Sequence, residues 1–371
     1  MSVDTTIAAP GATSSPAPRR RGPGTRGREN LAGWLFVAPA VVILGLFMLL
    51  PILMAAWVSV SDWTGTGSPF SSKVGFVGGE NYSALLSEPG LARTNFATSV
   101  RNNFYFVLFV VPLQTAFALF LAIVLNHKRL RGKNFFRTAY YFPTVTSSVA
   151  ISIVFLFLFS STGTVNALLG LFGVDGPSWF ADGRGIFHLA LNALGIAPMD
   201  SPPSLLTGPE FLGLPLYDWI SGPSVAMCSI IILCVWTTAG TFMLMFYAAL
   251  LNIPESVTEA ALIDGATRWQ RFRYVTLPML RPTLFLVITL GLIATWQVFD
   301  QIYVLSKGAP GNTTLTPAYL SYSTSFVDKE WGQGSAIAFM LFFLIVLLTV
   351  AQRWLLRERT GSRWGGKDAT R

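Results

Sequence analysis

The chain has 371 residues, of which 52% are hydrophobic and 12% are charged, and its mean hydropathy is +0.54. Soluble domains carry about 25% charged residues, so this composition excludes an ordinary soluble protein and indicates a membrane protein. The net charge of +8 does not indicate nucleic-acid binding, because the basic residues stand in short clusters between long apolar runs.

The two ends of the chain differ in composition from its middle. Residues 1–30 are mainly Ala, Pro, Ser, Thr, Gly and Arg, with little hydrophobic content before Leu31. This composition predicts a disordered tail whose arginines contact anionic lipid. Residues 356–371 have a similar composition and predict a second tail. Between the tails, residues 31–355 are expected to form one transmembrane domain.

Six apolar stretches reach the length of about 20 residues that a helix needs to cross a bilayer. They lie near residues 33–58, 103–126, 140–160, 224–250, 283–305 and 335–355. A further apolar run between Gly185 and Met199 is too short to span, so residues 161–223 are expected to form an external loop with a short surface helix. The predicted fold is therefore all-α: a polytopic membrane protein with six transmembrane helices.

Lysine and arginine predict the orientation of these helices. Twenty of the 26 basic residues fall on one side of the predicted membrane, and the other six are Lys73, Arg93, Arg101, Arg184, Lys307 and Lys329. Because cytoplasmic loops carry the excess of positive charge, the larger set is expected in the cytoplasm. Both termini and the loop over residues 251–282 are then cytoplasmic.

The 251–282 segment, here called the signature loop, is polar and lies between two apolar runs. Its motif residues are Glu259, Ala260, Ala261, Asp264, Gly265, Leu277 and Pro278. Asn252 is expected to cap a first short helix, and Gly265 can take the left-handed conformation that ends it. Leu277-Pro278 is expected to stop a second short helix that carries Trp269, Phe272 and Thr276 on one face. The alternative is an amphipathic loop lying on the bilayer.

This pattern resembles the signature loop of permease subunits in binding-protein-dependent ABC importers, where two short helices dock on a cytoplasmic ATPase. Other segments are similar to the first permease of carbohydrate importers of the maltose and glycerol-phosphate type, and the resemblance covers nearly all of residues 31–355. They are Phe299-Asp300-Gln301-Ile302-Tyr303-Val304-Leu305, Asn81-Tyr82, Phe135-Phe136-Arg137, Phe142-Pro143, Asn166-Ala167-Leu168-Leu169, Trp236 with Gly240, and Ile253-Pro254-Glu255.

The resemblance implies a type I ABC importer permease fold in a bacterial-type plasma membrane, with transport of a mono- or oligosaccharide. The implied partners are a second permease, two copies of an ATPase and an extracytoplasmic solute-binding protein. The chain departs from the family pattern at Lys307-Gly308-Ala309-Pro310, at Thr237-Thr238-Ala239 and in a longer loop at 175–222. These departures leave the particular sugar open.

No catalytic, cofactor or metal site is expected in this chain. It lacks a Walker-type phosphate loop, since Gly132-Lys133 is followed by Asn134, so ATP is expected on partner subunits and the chain itself is not expected to be an enzyme. Cys228 and Cys234 are six residues apart in one apolar run and predict no disulfide or metal site.

The fifth apolar stretch predicts a substrate path. Trp296, Asp300 and Tyr303 follow each other at the spacing of one helix face, where rings can stack on sugars and a carboxylate can accept hydroxyl hydrogen bonds. Trp236 on the fourth stretch is the second candidate for this path. Three alternatives remain: an ABC permease for a phosphorylated polyol or amino acid, a secondary transporter, and a membrane enzyme. An anionic solute would require Lys or Arg within the spans.

Overall fold

The computed structural model describes residues 25–127, 129–196 and 203–356, and the chain divides into two units, Met1–Met54 and Ala55–Arg371. The predicted tails lie largely outside the described residues. Residues 25–30 are an exception, because they are helical rather than part of a tail. The first unit holds α1 (Thr25–Leu44), a π-helical turn (Gly45–Leu49) and the start of α2 (Leu50–Ser59).

The second unit is mostly helical in its described part. After α2 its helices are α3 (Glu80–Leu86), α4 (Leu91–Asn126), α5 (Lys133–Val145), α6 (Ser148–Leu158), α7 (Thr164–Leu171), α8 (Ile186–Ala193), α9 (Ser204–Thr207), α10 (Leu216–Trp219), α11 (Val225–Leu251), α12 (Glu255–Ile263), α13 (Arg268–Arg271), α14 (Leu277–Met279), α15 (Arg281–Trp296), α16 (Asp300–Leu305), α17 (Pro317–Tyr322) and α18 (Trp331–Leu356). Two short antiparallel strands, β1 (Glu210–Phe211) and β2 (Leu214–Pro215), form a hairpin before α10.

Five apolar spans in the described residues correspond to predicted ones, although the second begins at Leu91, about twelve residues before its predicted start at 103. They are Ala32–Ser59, Leu91–Asn126, Val225–Leu251, Arg281–Leu305 and Trp331–Trp354. The span predicted over 140–160 is different, because α5 and α6 meet at 98° and qualify as a sixth span only if they are taken together. The backbone is extended at Thr146 and Ser147, where the helical hydrogen-bond ladder is interrupted.

The packed centre of the second unit lies along α4 and α11. Toward the N-terminal half of α11, Met227 and Ile230 pack with Phe106 of α4 and Ile302 of α16. Toward the other half, a second cluster of buried residues contains Ala118, Leu121, Ala122, Met243, Phe246 and Val287. Helices in membranes associate through close packing of small residues rather than through a hydrophobic driving force.

Gly240 shows how close this packing is. A Cβ at that position would lie 2.5 Å from the carbonyl oxygen of Tyr140 in α5 and 2.6 Å from the hydroxyl of Thr144. The absence of a side chain therefore lets α5 lie directly against α11. Thr144 also donates a hydrogen bond of 2.7 Å to the carbonyl of Thr237, which fixes α5 along this contact.

The long loop between α6 and α11 (residues 161–223) contains the predicted short helix, which is α8. The loop is fastened to α4 through main-chain atoms: Arg101 donates to the carbonyl of Asp218 over 3.2 Å, and the Tyr105 hydroxyl donates to the carbonyl of Trp219 over 2.6 Å. Within the loop, side-chain hydrogen bonds donated by Arg184 hold the pKa of Asp182 below its usual value, and the two side chains also form an ion pair. The described part of this loop is therefore an ordered structure.

Candidate functional site

The signature loop lies where the sequence predicts it, between the spans that end at Leu251 and begin at Arg281. The start of its first helix differs from the prediction. The N–H of Asn252 donates to Ala249, so Asn252 finishes α11 instead of capping the next helix. The first signature helix, α12, begins at Glu255 after an extended Pro254.

Gly265 ends α12 as predicted. Its φ of +75° is left-handed, its N–H donates to the carbonyl of Leu262, and the N–H of Ala266 donates to the carbonyl of Ala261. These two bonds form a Schellman motif, which satisfies the free carbonyls at a helix end. The turn from α12 to α13 is thus specified by a residue that has no Cβ.

The second signature helix contains a capping box that the sequence prediction missed. The Thr267 hydroxyl accepts from the N–H of Gln270, and the Gln270 side chain accepts from the N–H of Thr267. The Thr-x-x-Gln spacing at 267–270 was the available signal. The two short helices of the signature loop are therefore each closed by their own local hydrogen bonds.

The prediction that Leu277-Pro278 stops this helix is wrong. The chain stays helical from Arg268 to Met279, passing through a π-helical turn at Phe272–Thr276. In this turn the N–H of Leu277 donates to the carbonyl of Phe272, five residues back. The wider turn admits Pro278, which has no N–H to donate, without ending the helix.

The signature loop exposes apolar side chains beside charged ones. Ile263 is 87% exposed, Trp269 and Tyr274 are also exposed, and the Trp269 and Phe272 rings lie 5.6 Å apart as their shared face predicts. Charged residues lie near them in the sequence: Glu259, Asp264, Arg268 and Arg273 are all exposed. Large apolar side chains exposed among charged ones are typical of a protein-binding surface.

The predicted stripe on the fifth span is wrong as a continuous face. The helix α15 ends at Trp296, residues 297–299 interrupt it, and α16 begins at Asp300. Trp296 is 3% exposed and packs with Leu341 and Ile345 of α18. Asp300, in contrast, is exposed. The interruption therefore separates residues that a straight helix would place on one face.

Two cavities lie beside this interruption. The first is about 290 Å³ and is lined by Pro143, Thr144, Thr146, Ser148, Ile151, Ser152, Leu233, Thr237, Thr238, Thr241, Phe242 and Gln301. The second is about 260 Å³ and is lined by Phe106, Val110, Gln114, Cys234, Thr238, Phe242, Ala294, Thr295, Gln297, Val298, Phe299, Asp300 and Gln301. Hydroxyl and amide groups supply their polar lining, and Asp300 is the single charged residue in it.

Of the predicted path residues, Asp300 is the one that lines either of these two cavities. Tyr303 is 39% exposed and stacks on Phe299, while Trp236 is 43% exposed and its ring lies 5.7 Å from that of Phe155. Both lie outside the two linings. Among the described residues no three of His, Cys, Asp and Glu come together as a metal site.

The sequence prediction missed the threonines and glutamines of the two cavities. Thr238 donates to the side-chain carbonyl of Gln114 over 2.7 Å, and the Gln114 amide nitrogen, buried beside the second cavity, lacks a partner. Thr237 and Thr238 stand where the chain departs from the family pattern, which was the signal that could have identified this part of the lining.

The chain is similar in sequence to known transport proteins. Residues 114–360 match the family described as "Binding-protein-dependent transport system inner membrane component". The lactose transport system permease protein LacF of Rhizobium radiobacter is 32% identical over 89% of this chain and 95% of its own length. The trehalose/maltose transport system permease protein MalF of Thermococcus litoralis is 29% identical over 87% of this chain and 92% of its own length.

The fold also matches a solved structure. A chain of a bacterial ABC transporter involved in the import of the acidic polysaccharide alginate superimposes with a TM-score of 0.65 at 17% identity, covering 91% of this chain and 99% of that chain. The superposition confirms the predicted permease fold.

Proposed function

The chain belongs to the family of binding-protein-dependent transport system inner membrane components, and we propose that it forms part of the translocation path for a neutral sugar. It is a multi-pass membrane permease, and its family comprises transport permeases rather than enzymes. Its relatives include permease proteins of lactose and of trehalose/maltose transport systems. Under this proposal ATP is bound and hydrolysed by separate subunits.

The observation that carries the sugar assignment is the chemistry of the two cavities. Their polar groups are hydroxyls and amides, which can donate to and accept from the hydroxyls of a polyol. A phosphorylated polyol or an amino acid carries a negative charge that would call for a cationic partner in a site of low polarity. Neither lining contains Lys, Arg or His, which favours an uncharged substrate over those alternatives.

The signature loop supports the proposed ATP-driven step. A Schellman motif ends its first helix and a capping box begins its second. These local hydrogen bonds suit a rigid segment that can pass a movement of the ATPase to the membrane-spanning helices. Its exposed apolar side chains, with exposed charged residues near them in the sequence, suit docking on a cytoplasmic ATPase. A second permease, two ATPase copies and an extracytoplasmic binding protein complete the proposed importer.

Sugar uptake tests this function directly. We expect a strain lacking this chain to lose uptake of at least one labelled neutral sugar among lactose, maltose and trehalose, and to regain it when the chain is supplied. Labelled glycerol phosphate and an amino acid serve as charged comparison solutes. Loss of charged-solute uptake with all sugars unaffected would contradict the sugar assignment and favour the alternative permease.

The orientation is a separate prediction. In a background without Cys228 and Cys234, cysteines at Ser14 and Gly361 should react only with membrane-permeant thiol reagents, because the positive-inside rule puts both ends in the cytoplasm. A cysteine at Ser204 should react with impermeant reagents added to intact cells. Labelling of the Ser14→Cys variant from outside would contradict the proposed orientation.

A further inference from the structure

Two interrupted helices meet beside the cavities. On one side α5 ends at Val145 and α6 begins at Ser148, with an angle of 98° between them. On the other side α15 ends at Trp296 and α16 begins at Asp300. The Ser148 hydroxyl donates a hydrogen bond of 2.5 Å to the Asp300 carboxylate, and this bond joins the two interruptions.

The same bond lies at the boundary between the two cavities. Ser148 lines the first cavity and Asp300 lines the second, while Thr238, Phe242 and Gln301 line both. The volumes of about 290 and 260 Å³ are each below the roughly 300–1,000 Å³ of typical small-molecule sites. Joined, the two cavities would fall within that range.

We propose that the two cavities are halves of one substrate site, divided in this structure by the Ser148–Asp300 hydrogen bond. Its occupant is a neutral sugar of two or more rings, and one sugar hydroxyl replaces the Ser148 hydroxyl on the Asp300 carboxylate. This inference rests on the proposed function and adds to it the size of the substrate and a specificity-determining residue, Ser148.

The exchange is chemically balanced, because one hydroxyl donor replaces another on the same carboxylate. The Asp300 carboxylate accepts a hydrogen bond from Ser148 before the exchange and from the sugar after it. Opening the site therefore does not leave the carboxylate without a donor. Asp300 is exposed to the second cavity, where an incoming hydroxyl can reach it. A single-ring sugar can occupy one cavity without breaking the bond, whereas a longer sugar has to break it.

Removal of the competing Ser148 hydroxyl should strengthen the apparent binding of the sugar. Ser148→Ala should lower the KM for uptake of the imported disaccharide about three- to tenfold, because the sugar no longer displaces an internal donor. Ser148→Thr, which keeps a hydroxyl, should return the KM toward the wild-type value. The matched control is Ser147→Ala, at an exposed serine in the same interruption whose side chain makes no capping bond.

The measurement is uptake of labelled lactose and maltose by cells that carry the complete transporter, with glucose and galactose as single-ring competitors. A KM that is unchanged or raised in Ser148→Ala would overturn the role of Ser148. Uptake of single-ring sugars as efficient as that of disaccharides would overturn the joined site and leave the proposed function standing. If the wild-type chain imports no sugar of either size, the proposed function itself fails.

Discussion

Gly265→Val should abolish sugar uptake while the permease still reaches the membrane in normal amounts. Gly265 has a φ of +75°, where an L-residue costs about 1–2 kcal/mol and a β-branched side chain is especially unfavourable. The space around it is open, so the effect comes from backbone strain in the Schellman motif and not from a clash. Loss of that turn should misdirect α12 relative to α13 and weaken the docking of the ATPase. Gly265→Ala should have a smaller effect of about 1 kcal/mol.

Gly195 provides a matched control for this substitution. It has a φ of +69°, it also has no atom within 4 Å of a built Cβ, and it lies in the long loop instead of the signature loop. Gly195→Val therefore introduces the same kind of strain at a different place and should leave uptake largely intact. Uptake by each variant is compared at equal membrane levels, together with co-purification of the ATPase. Normal uptake and normal ATPase binding by Gly265→Val would contradict the proposed role of the turn.

Trp296→Ala should strongly destabilise the permease. The side chain is 3% exposed and packs between α15 and α18, and removal of a buried Trp typically costs about 3–5 kcal/mol. The unfolding temperature of the purified complex in detergent should decrease, and so should the amount of permease in the membrane. The control is Trp354→Ala, where the same change is made on a ring that is 76% exposed.

This expectation reverses the one that follows from a continuous stripe on the fifth span. If Trp296 lined the path, Trp296→Ala would raise the sugar concentration needed for uptake and leave the stability of the fold unaffected. If Trp296→Ala gives a stable permease with a raised KM, the packing assigned to Trp296 is not its main role. If the variant is unstable and Trp354→Ala is not, the buried contact with Leu341 and Ile345 is confirmed as structural.

The long apolar runs made most of the architecture predictable. Apolar runs such as 224–250 exceed the roughly 20 residues that a helix needs to cross a bilayer. The stretches predicted at 33–58 and 335–355 agree with the observed spans to within a few residues at each end. Gly265 was predictable for a local reason, because only a residue without Cβ takes the left-handed conformation freely. Both kinds of signal are contained in a short stretch of sequence.

The helix interruptions were not predictable, because distant residues stabilise them. No Gly or Pro marks residues 297–299, yet the helix breaks there. The carbonyl of Val298 accepts from Thr316, and the carbonyl of Trp296 lies 3.4 Å from the donating amide of Asn103. These donors come from other parts of the chain and replace the helical partners. The prediction of a straight helix therefore failed at residues 297–299, where these long-range contacts are made.

The way the long loop is attached to α4 bears on whether it can be replaced by the loop of a related permease. Arg101 and Tyr105 bind the carbonyl oxygens at positions 218 and 219, groups that almost any amino acid supplies. Attachment at these two points therefore places little demand on the side chains at positions 218 and 219, whereas Phe187 of the same loop packs its ring on those of Tyr105 and Phe109. A loop of different length and composition should be graftable onto the same α4 provided that its backbone brings two carbonyls to these donors and that it supplies an aromatic ring at this contact. The long loop could thus be replaced as a module as long as α4 keeps these two donors and the aromatic rings of Tyr105 and Phe109.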